Sequence, residues 1–78
     1  MFKAYIVHIS DTLLYEGEAK SVLLPGVVGE FEVQEKHGAI VSLLCRGAIL
    51  IRGSESKEIP IEQGLVRFDG QKLFAVVE

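Results

Sequence analysis

The sequence predicts an all-β fold, a sandwich or a barrel, on three grounds. Short apolar runs rich in Val, Ile, Leu, Phe and Tyr follow one another along the whole chain. Turn residues break them about every eight to twelve positions, the spacing of consecutive short strands. No stretch carries the apolar period of a helix about 10–20 residues long. With 78 residues, the chain fits a single domain, residues 1–78.

Residues 3–9 are β-branched and aromatic and read as the first strand. Residues 14–16 form a short strand that Gly17 is expected to interrupt, and residues 18–24 form the next. Pro25-Gly26 is a favoured pair at the centre of a type II turn. Residues 27–33 contain Gly29, which points to a bulge or a close backbone approach. Residues 39–45 are apolar throughout, so periodicity alone does not separate strand from helical turn. The β-branched Ile40 and Val41 favour strand. Residues 48–52 and 58–62 flank a hairpin loop at 53–57. Residues 65–68 and 72–77 flank Asp69-Gly70-Gln71, where Asp-Gly signals a type I′ turn with positive φ at both central residues.

Two strands are apolar on both sides. In the first, Ala4 and Ile6 point one way while Tyr5, Val7 and Ile9 point the other. In the last, Leu73, Ala75 and Val77 oppose Phe74 and Val76. A sheet with one face in water alternates apolar and polar residues. Either these strands are covered by loops, or an outer face docks another protein. Composition leans the same way. Hydrophobic residues make up 49% of the chain. A domain this small buries only about 60% of its unfolded surface, so apolar surface is left over, and exposed apolar patches mark partner sites.

The net charge is -3, with 8 Lys and Arg placed singly, which excludes the basic stripe of a nucleic-acid binder. Cys45 is the only cysteine, so no internal disulfide forms. It is read as a small buried hydrophobe. No secretion signal opens the chain, and no run approaches the roughly 18 apolar residues of a membrane span. The chain reads as soluble and cytoplasmic, with an organelle interior the alternative if a transit peptide has been removed.

No nucleophile motif, metal spacing or phosphate loop is present, so no catalytic, metal or cofactor-binding residue is expected. His8 and His37 are far apart in sequence, and His8 is read as structural. Glu16 with Glu18, and Glu30 with Glu32, share strand faces by period two. Paired carboxylates do acid–base work only in a cleft that perturbs them, and these read as solvated.

The most distinctive stretch is Leu24-Pro25-Gly26-Val27-Val28-Gly29-Glu30-Phe31-Glu32-Val33, running on to His37, behind Tyr15-Glu16-Gly17-Glu18-Ala19-Lys20-Ser21-Val22. In this order the segments resemble the epsilon subunit of F-type rotary ATP synthase, specifically its N-terminal β-sandwich domain. Downstream, Arg46-Gly47-Ala48-Ile49-Leu50-Ile51-Arg52 and Ile61-Glu62-Gln63-Gly64-Leu65-Val66 are similar to that family's later strands. The resemblance covers essentially the whole chain. It departs at Glu35-Lys36-His37-Gly38-Ala39, where the family usually has proline-glycine-histidine-alanine-proline. It departs again at Gln63-Gly64, which replaces a usual glycine pair.

The resemblance implies a flattened sandwich of about ten short strands. It also implies a non-catalytic subunit of the central stalk that docks the gamma subunit and the polar loops of the c-ring and so couples proton flow to ATP synthesis. Carried over by position, Glu30, His37 and Ser42 correspond to residues facing the c-ring; the residues that meet gamma are not assigned. The place implied is peripheral, on the cytoplasmic face of the inner membrane. The family's C-terminal helical hairpin is not seen in these residues, so they are expected neither to bind ATP nor to inhibit hydrolysis. A carrier module of lipoyl type is the alternative, with Lys72 near the Asp69-Gly70 turn as its modified lysine, but the flanking pattern does not match. An oligonucleotide-binding barrel is disfavoured by the acidic balance.

Overall fold

Alternating apolar side chains force two inner faces together. In the computed structural model, which describes residues 1–78, nine strands make up the chain. They are β1 (Phe2–His8), β2 (Leu13–Ala19), β3 (Ser21–Gly26), β4 (Gly29–Gln34), β5 (Ile40–Leu44), β6 (Gly47–Arg52), β7 (Ser56–Ile61), β8 (Gly64–Phe68) and β9 (Lys72–Val77). No helix is present that is long and apolar enough to cross a membrane. The resemblance implied about ten strands. The connections between the nine leave no stretch long enough for another, the longest being the segment between Gln34 and Ile40.

The strands form one continuous hydrogen-bonded sheet that folds back on itself as two layers. The first layer runs β2-β1-β9-β8-β5, and the second runs β4-β3-β6-β7. A single residue pair, Gly26 opposite Leu44, joins the layers through β3 and β5. Cys45 N donates to Pro25 O (2.8 Å) and Val27 N to Leu43 O (3.0 Å), extending that joint. Neighbouring strands are antiparallel except for β1 and β9, which run parallel with Lys3 opposite Lys72 and His8 opposite Val77.

The core is a cluster of 17 residues drawn from both layers. From the first come Phe2, Ala4, Ile6, Ala19, Leu44, Val66, Phe68, Leu73, Ala75 and Val77, and from the second Val22, Leu24, Val33, Ile49, Ile51, Ile59 and Ile61. The Phe2 and Phe68 rings meet edge to face with centroids 5.2 Å apart, the geometry the ring quadrupoles favour.

Several local expectations change. Gly17 does not interrupt its strand; β2 runs through it, and Lys20 alone separates β2 from β3. Gly17 lies opposite Ala4 on the inner face, under Tyr15, whose hydroxyl donates to Glu18 O (3.0 Å). A Cβ there would sit 3.2 Å from that hydroxyl oxygen. Pro25 and Gly26 do not form the turn; both belong to β3, paired with Glu30 and Gly29. Val27 and Val28 make the turn, and Gly29 follows with φ 145° as the first residue of β4, paired with Gly26 and with open space around it, so it is neither a bulge nor a close approach. Gly26 is needed for close approach instead, because a Cβ would lie 2.6 Å from Gly29 O and 2.8 Å from the Phe31 ring. Residues 39–45 do form a strand, trimmed to Ile40–Leu44. Cys45 is exposed, not buried, since β5 ends at Leu44 and the chain turns there into the second layer.

The β8–β9 hairpin forms as expected, with different turn chemistry. Gly70 has positive φ (101°), but Asp69 does not. Instead the Asp69 carboxylate accepts backbone N–H groups from Gln71 and Lys72, each at 2.8 Å. The Lys72 and Gln71 N–H donors, followed by the Arg67 and Lys72 charges, hold this carboxyl below its usual 3.8. A depressed carboxyl stabilises the fold above its unfolded-state pKa and loses that contribution as pH falls through its folded value. Asp69→Ala should therefore lower the denaturation midpoint near pH 7, and the gap to the parent should close as pH drops below about 4. A gap constant across that titration, read by urea melts, would remove the turn carboxylate from the acid dependence.

Candidate functional site

The first layer is apolar on its outer face as well as its inner one. The registers set Val7 opposite Leu13 on β2 and opposite Val76 on β9. Val76 in turn faces Leu65, and Leu65 faces Leu43. One row of five apolar side chains, Leu13–Val7–Val76–Leu65–Leu43, thus crosses the layer without a polar interruption. At about 4.8 Å between strands it runs about 19 Å. Beside it lies the row Glu16–Tyr5–Phe74–Arg67–Val41, apolar at three of its positions. Lys3 and Lys72 begin a third, charged row.

These side chains are not covered by loops. Leu43 is 63% exposed and Val41 66%, with Leu65 and Phe74 also exposed. Single exposed apolar residues are ordinary; contiguous rows are not. At one end the face continues into an open groove of about 590 Å³, lined by Ile9, Val27, Leu43, Leu65, Val76 and Glu78 among others. Hydrogen bonds hold the rim in place: Ile9 N to Val77 O (2.9 Å), Val27 N to Leu43 O (3.0 Å), and Gln63 Nε2 to the Glu78 carboxylate (2.6 Å).

The second layer differs. Its outer face mixes Leu23, Leu50 and Pro60 with Glu30, Glu32, Gln34, Arg52 and Glu58. Glu32 accepts from Gln34 Nε2 (3.1 Å) and stands 4.0 Å from Arg52. The carboxylate pairs are solvated: Glu16 and Glu18 face Tyr5 and Lys3 across β1. No group of three or more potential metal ligands gathers anywhere.

Glu30 sits on the outer side of β4, next to the exposed Val27–Val28 tip, opposite Pro25. It makes no ion pair within the chain. His37 lies beyond the other end of β4. Its Nδ1 donates to Gly38 O (2.6 Å), and its ring meets Phe68 edge-on with centroids 6.2 Å apart. Glu30 and Gln34 are four strand steps apart, about 13 Å, so Glu30 and His37 occupy opposite ends of one edge strand. Ser42 is half-buried on the inward side of β5, where its hydroxyl donates to Leu43 O (3.2 Å). The structure does not bring the three side chains together. Lys72, the lysine of the carrier alternative, is the first residue of β9 and not a hairpin tip.

Sequence reading found the outward residues of β1 and β9 but missed Leu13, Val41, Leu43 and Leu65. The signal was present, since Leu65 and Arg67 alternate with Val66 and Phe68, and Val41 and Leu43 with Ile40 and Leu44. What it lacked was the pairing of β5 with β8 and of β1 with β9, which turns scattered residues into one row.

The family described as ATP synthase, Delta/Epsilon chain, beta-sandwich domain matches residues 1–78. This chain belongs to that family. The epsilon-family domain is 37% identical over 68 residues to the ATP synthase epsilon chain of Sulfurovum sp. (strain NBC37-1), covering 85% of this chain and 53% of that one. It is 41% identical over 68 residues to the ATP synthase epsilon chain of Helicobacter pylori, covering 86% and 55%. The chain thus spans about half the length of the curated relatives it matches. Among solved structures, a chain in the Euglena gracilis mitochondrial ATP synthase (OSCP/F1/c-ring) superposes with TM-score 0.88 at 13% identity, over 97% of this chain and 49% of that one. One in the central stalk/c-ring of the Tetrahymena thermophila mitochondrial enzyme gives 0.78 at 14%, over 97% and 62%. At such identities these two likenesses speak for the fold alone.

The exposed row belongs to the surface, not to the core of the epsilon-type sandwich. Leu43→Lys and Leu65→Lys should each change unfolding free energy by no more than about 0.5 kcal/mol. Together they should cut the binding of an apolar fluorescent dye to the isolated chain by more than half. Unfolding of the double variant under the same conditions would show instead that this row is needed for the fold.

Proposed function

We propose that this domain is a non-catalytic docking subunit of a rotary ATP synthase. The outer face of its first layer seats on a gamma-type stalk subunit, and its polar edge meets the polar loops of a c-ring. The observation that carries the proposal is the unbroken apolar row across five strands in a chain that belongs to the epsilon-type sandwich family. A fold of this kind requires apolar inner faces only. A second apolar face, left open to water, fits a permanent partner. A stable interface takes about 800 Å² from each side, roughly one-sixth of the 4824 Å² this domain exposes.

Glu30 and the His37 loop are the proposed ring contacts, with Ser42 the weakest of the three because its hydroxyl is turned inward. Glu30 is free of partners in the chain and stands at an exposed tip, so it is available to a basic or polar loop. Such a pair supplies specificity and register more than raw affinity. In this role the domain transmits torque between stalk and ring, so that proton flow and ATP synthesis stay linked. Its place would be peripheral, at the cytoplasmic face of the membrane that holds the ring.

Co-expression with the gamma-type subunit of the same complex should yield a co-purifying pair. Leu43→Lys with Leu65→Lys should separate it, while Glu30→Lys should leave it intact. In reconstituted membranes Glu30→Lys should reduce ATP-driven proton pumping more than ATP hydrolysis. Separate elution of the parent chain and gamma at micromolar concentration would overturn the stalk assignment. Undiminished pumping by Glu30→Lys would remove that residue from the ring contact.

A further inference from the structure

Three of the 8 Lys and Arg residues, solitary in the sequence, meet at one end of the second layer. Lys20 is the single residue between β2 and β3, Lys36 follows β4, and Arg52 ends β6. With Gln34, Glu35 and Ser21 they border an open groove of about 470 Å³ that has no hydrophobic lining residue. The strand registers put Ser21 between Gln34 on β4 and Arg52 on β6, in one row of the outer face. Main-chain pairing fixes the arrangement further, since Lys20 N donates to Arg52 O (2.7 Å).

Ser21 is the one buried polar side chain of the domain, 8% exposed. Its hydroxyl has no hydrogen-bond partner in the protein, unlike those of Ser10 and Ser42. No buried side-chain polar atom of the domain is left unsatisfied, so the Ser21 hydroxyl is reached by water through the groove and its hydrogen is free for a ligand. Here it opens on a groove whose charge is opposite in sign to that of the whole chain. Lys20, Lys36 and Arg52 against Glu35 leave 3 − 1 = +2 among the lining residues, where the chain carries -3. The carboxylates nearby do not cancel this. Glu35 is held 3.0 Å from the N-terminal ammonium. Glu32 reaches Arg52 only at 4.0 Å, and an exposed pair of that kind contributes little. Gln34 spends one amide N–H on Glu32 (3.1 Å) and keeps the other.

We propose that this groove binds a phosphate-class oxyanion. The Ser21 hydroxyl and the free Gln34 N–H donate to it, the Arg52 fork grips two of its oxygens, and Lys20 and Lys36 supply the remaining charge. The groove lies on the outer face of the second layer, whereas the apolar face lies on the first. An anion and a stalk partner therefore do not compete for one surface. The site stands apart from the proposed docking role and would survive the failure of that reading.

Titration of the isotope-labelled chain with inorganic phosphate, at constant ionic strength, tests it. Amide resonances of residues 20–21, 34–36 and 52 should shift saturably. Ser21→Ala and Lys36→Gln should each weaken binding about tenfold, the loss of roughly one charge-assisted hydrogen bond. Lys36 is exposed, so its variant keeps the fold if Ser21→Ala disturbs it. A parallel arm with phosphatidylglycerol vesicles separates the sources: retention that falls in the same variants assigns a lipid headgroup, and a response to free phosphate alone assigns the free anion. The proposal is overturned if neither probe gives a response that depends on Ser21 or Lys36, or if phosphate shifts Lys3, Lys57 and Lys72 as much as the groove.

Discussion

The pairing of β1 with β9 is the constraint on which the rest of the molecule depends. These are the first and last strands of the chain, and they run parallel through six residue pairs, from Lys3–Lys72 to His8–Val77. A parallel pair needs a crossover, and here the crossover is everything between His8 and Lys72. Without that ladder, β2 and β1 would part from β9, β8 and β5. The inner face would lose the contact of Ala4 and Ile6 with Leu73 and Ala75. The outer row would be cut between Val7 and Val76. Core and exposed apolar face thus hang on the same set of main-chain hydrogen bonds, and on contacts of the longest sequence separation in the chain, the kind that makes folding slow.

The two layers answer different demands. Both inner faces must be apolar, and they are, from Phe2 to Val77. The outer face of the second layer carries Glu30, Glu32, Arg52 and Glu58, as a wetted face should. The outer face of the first layer does not follow that rule, and nothing in the fold requires the exception. Leu13, Leu43 and Leu65 stand in water on the isolated domain, at a cost in solubility. A contiguous apolar row on a solvent-exposed face is the feature on which the proposed partner contact rests.

Much of this was legible in the sequence, because alternation and turn residues act locally. All strand regions were found, and β1 and β9 were already seen to be apolar on both sides. The departures have local causes that a sequence hides. Pro25-Gly26 reads as a turn, yet Gly26 is required where the Phe31 ring and Gly29 O crowd the main chain. Gly17 reads as a break, yet it makes room for Tyr15. Cys45 reads as buried at the end of an apolar run, but it lies at the corner where the chain changes layers. The site was less legible than the fold. Val41, Leu43 and Leu65 become a face only through the β5–β8 and β8–β9 registers, and Lys20, Lys36 and Arg52 become a cluster only through the pairing of β3 with β4 and β6. Glu30, which the resemblance sets toward the ring, is exposed and unpartnered at the β3–β4 tip. His37 and Ser42 are partly engaged within the domain itself.

The central claim is that the first layer's outer face is an interface. Hydrogen exchange of the domain, alone and mixed with the gamma-type subunit, tests it most directly. The account predicts new protection in β1, β5, β8 and β9 and at Leu13, with β6 and β7 unchanged. Protection centred on β6 and β7, or a stable complex that leaves β8 and β9 as exposed as before, would contradict it.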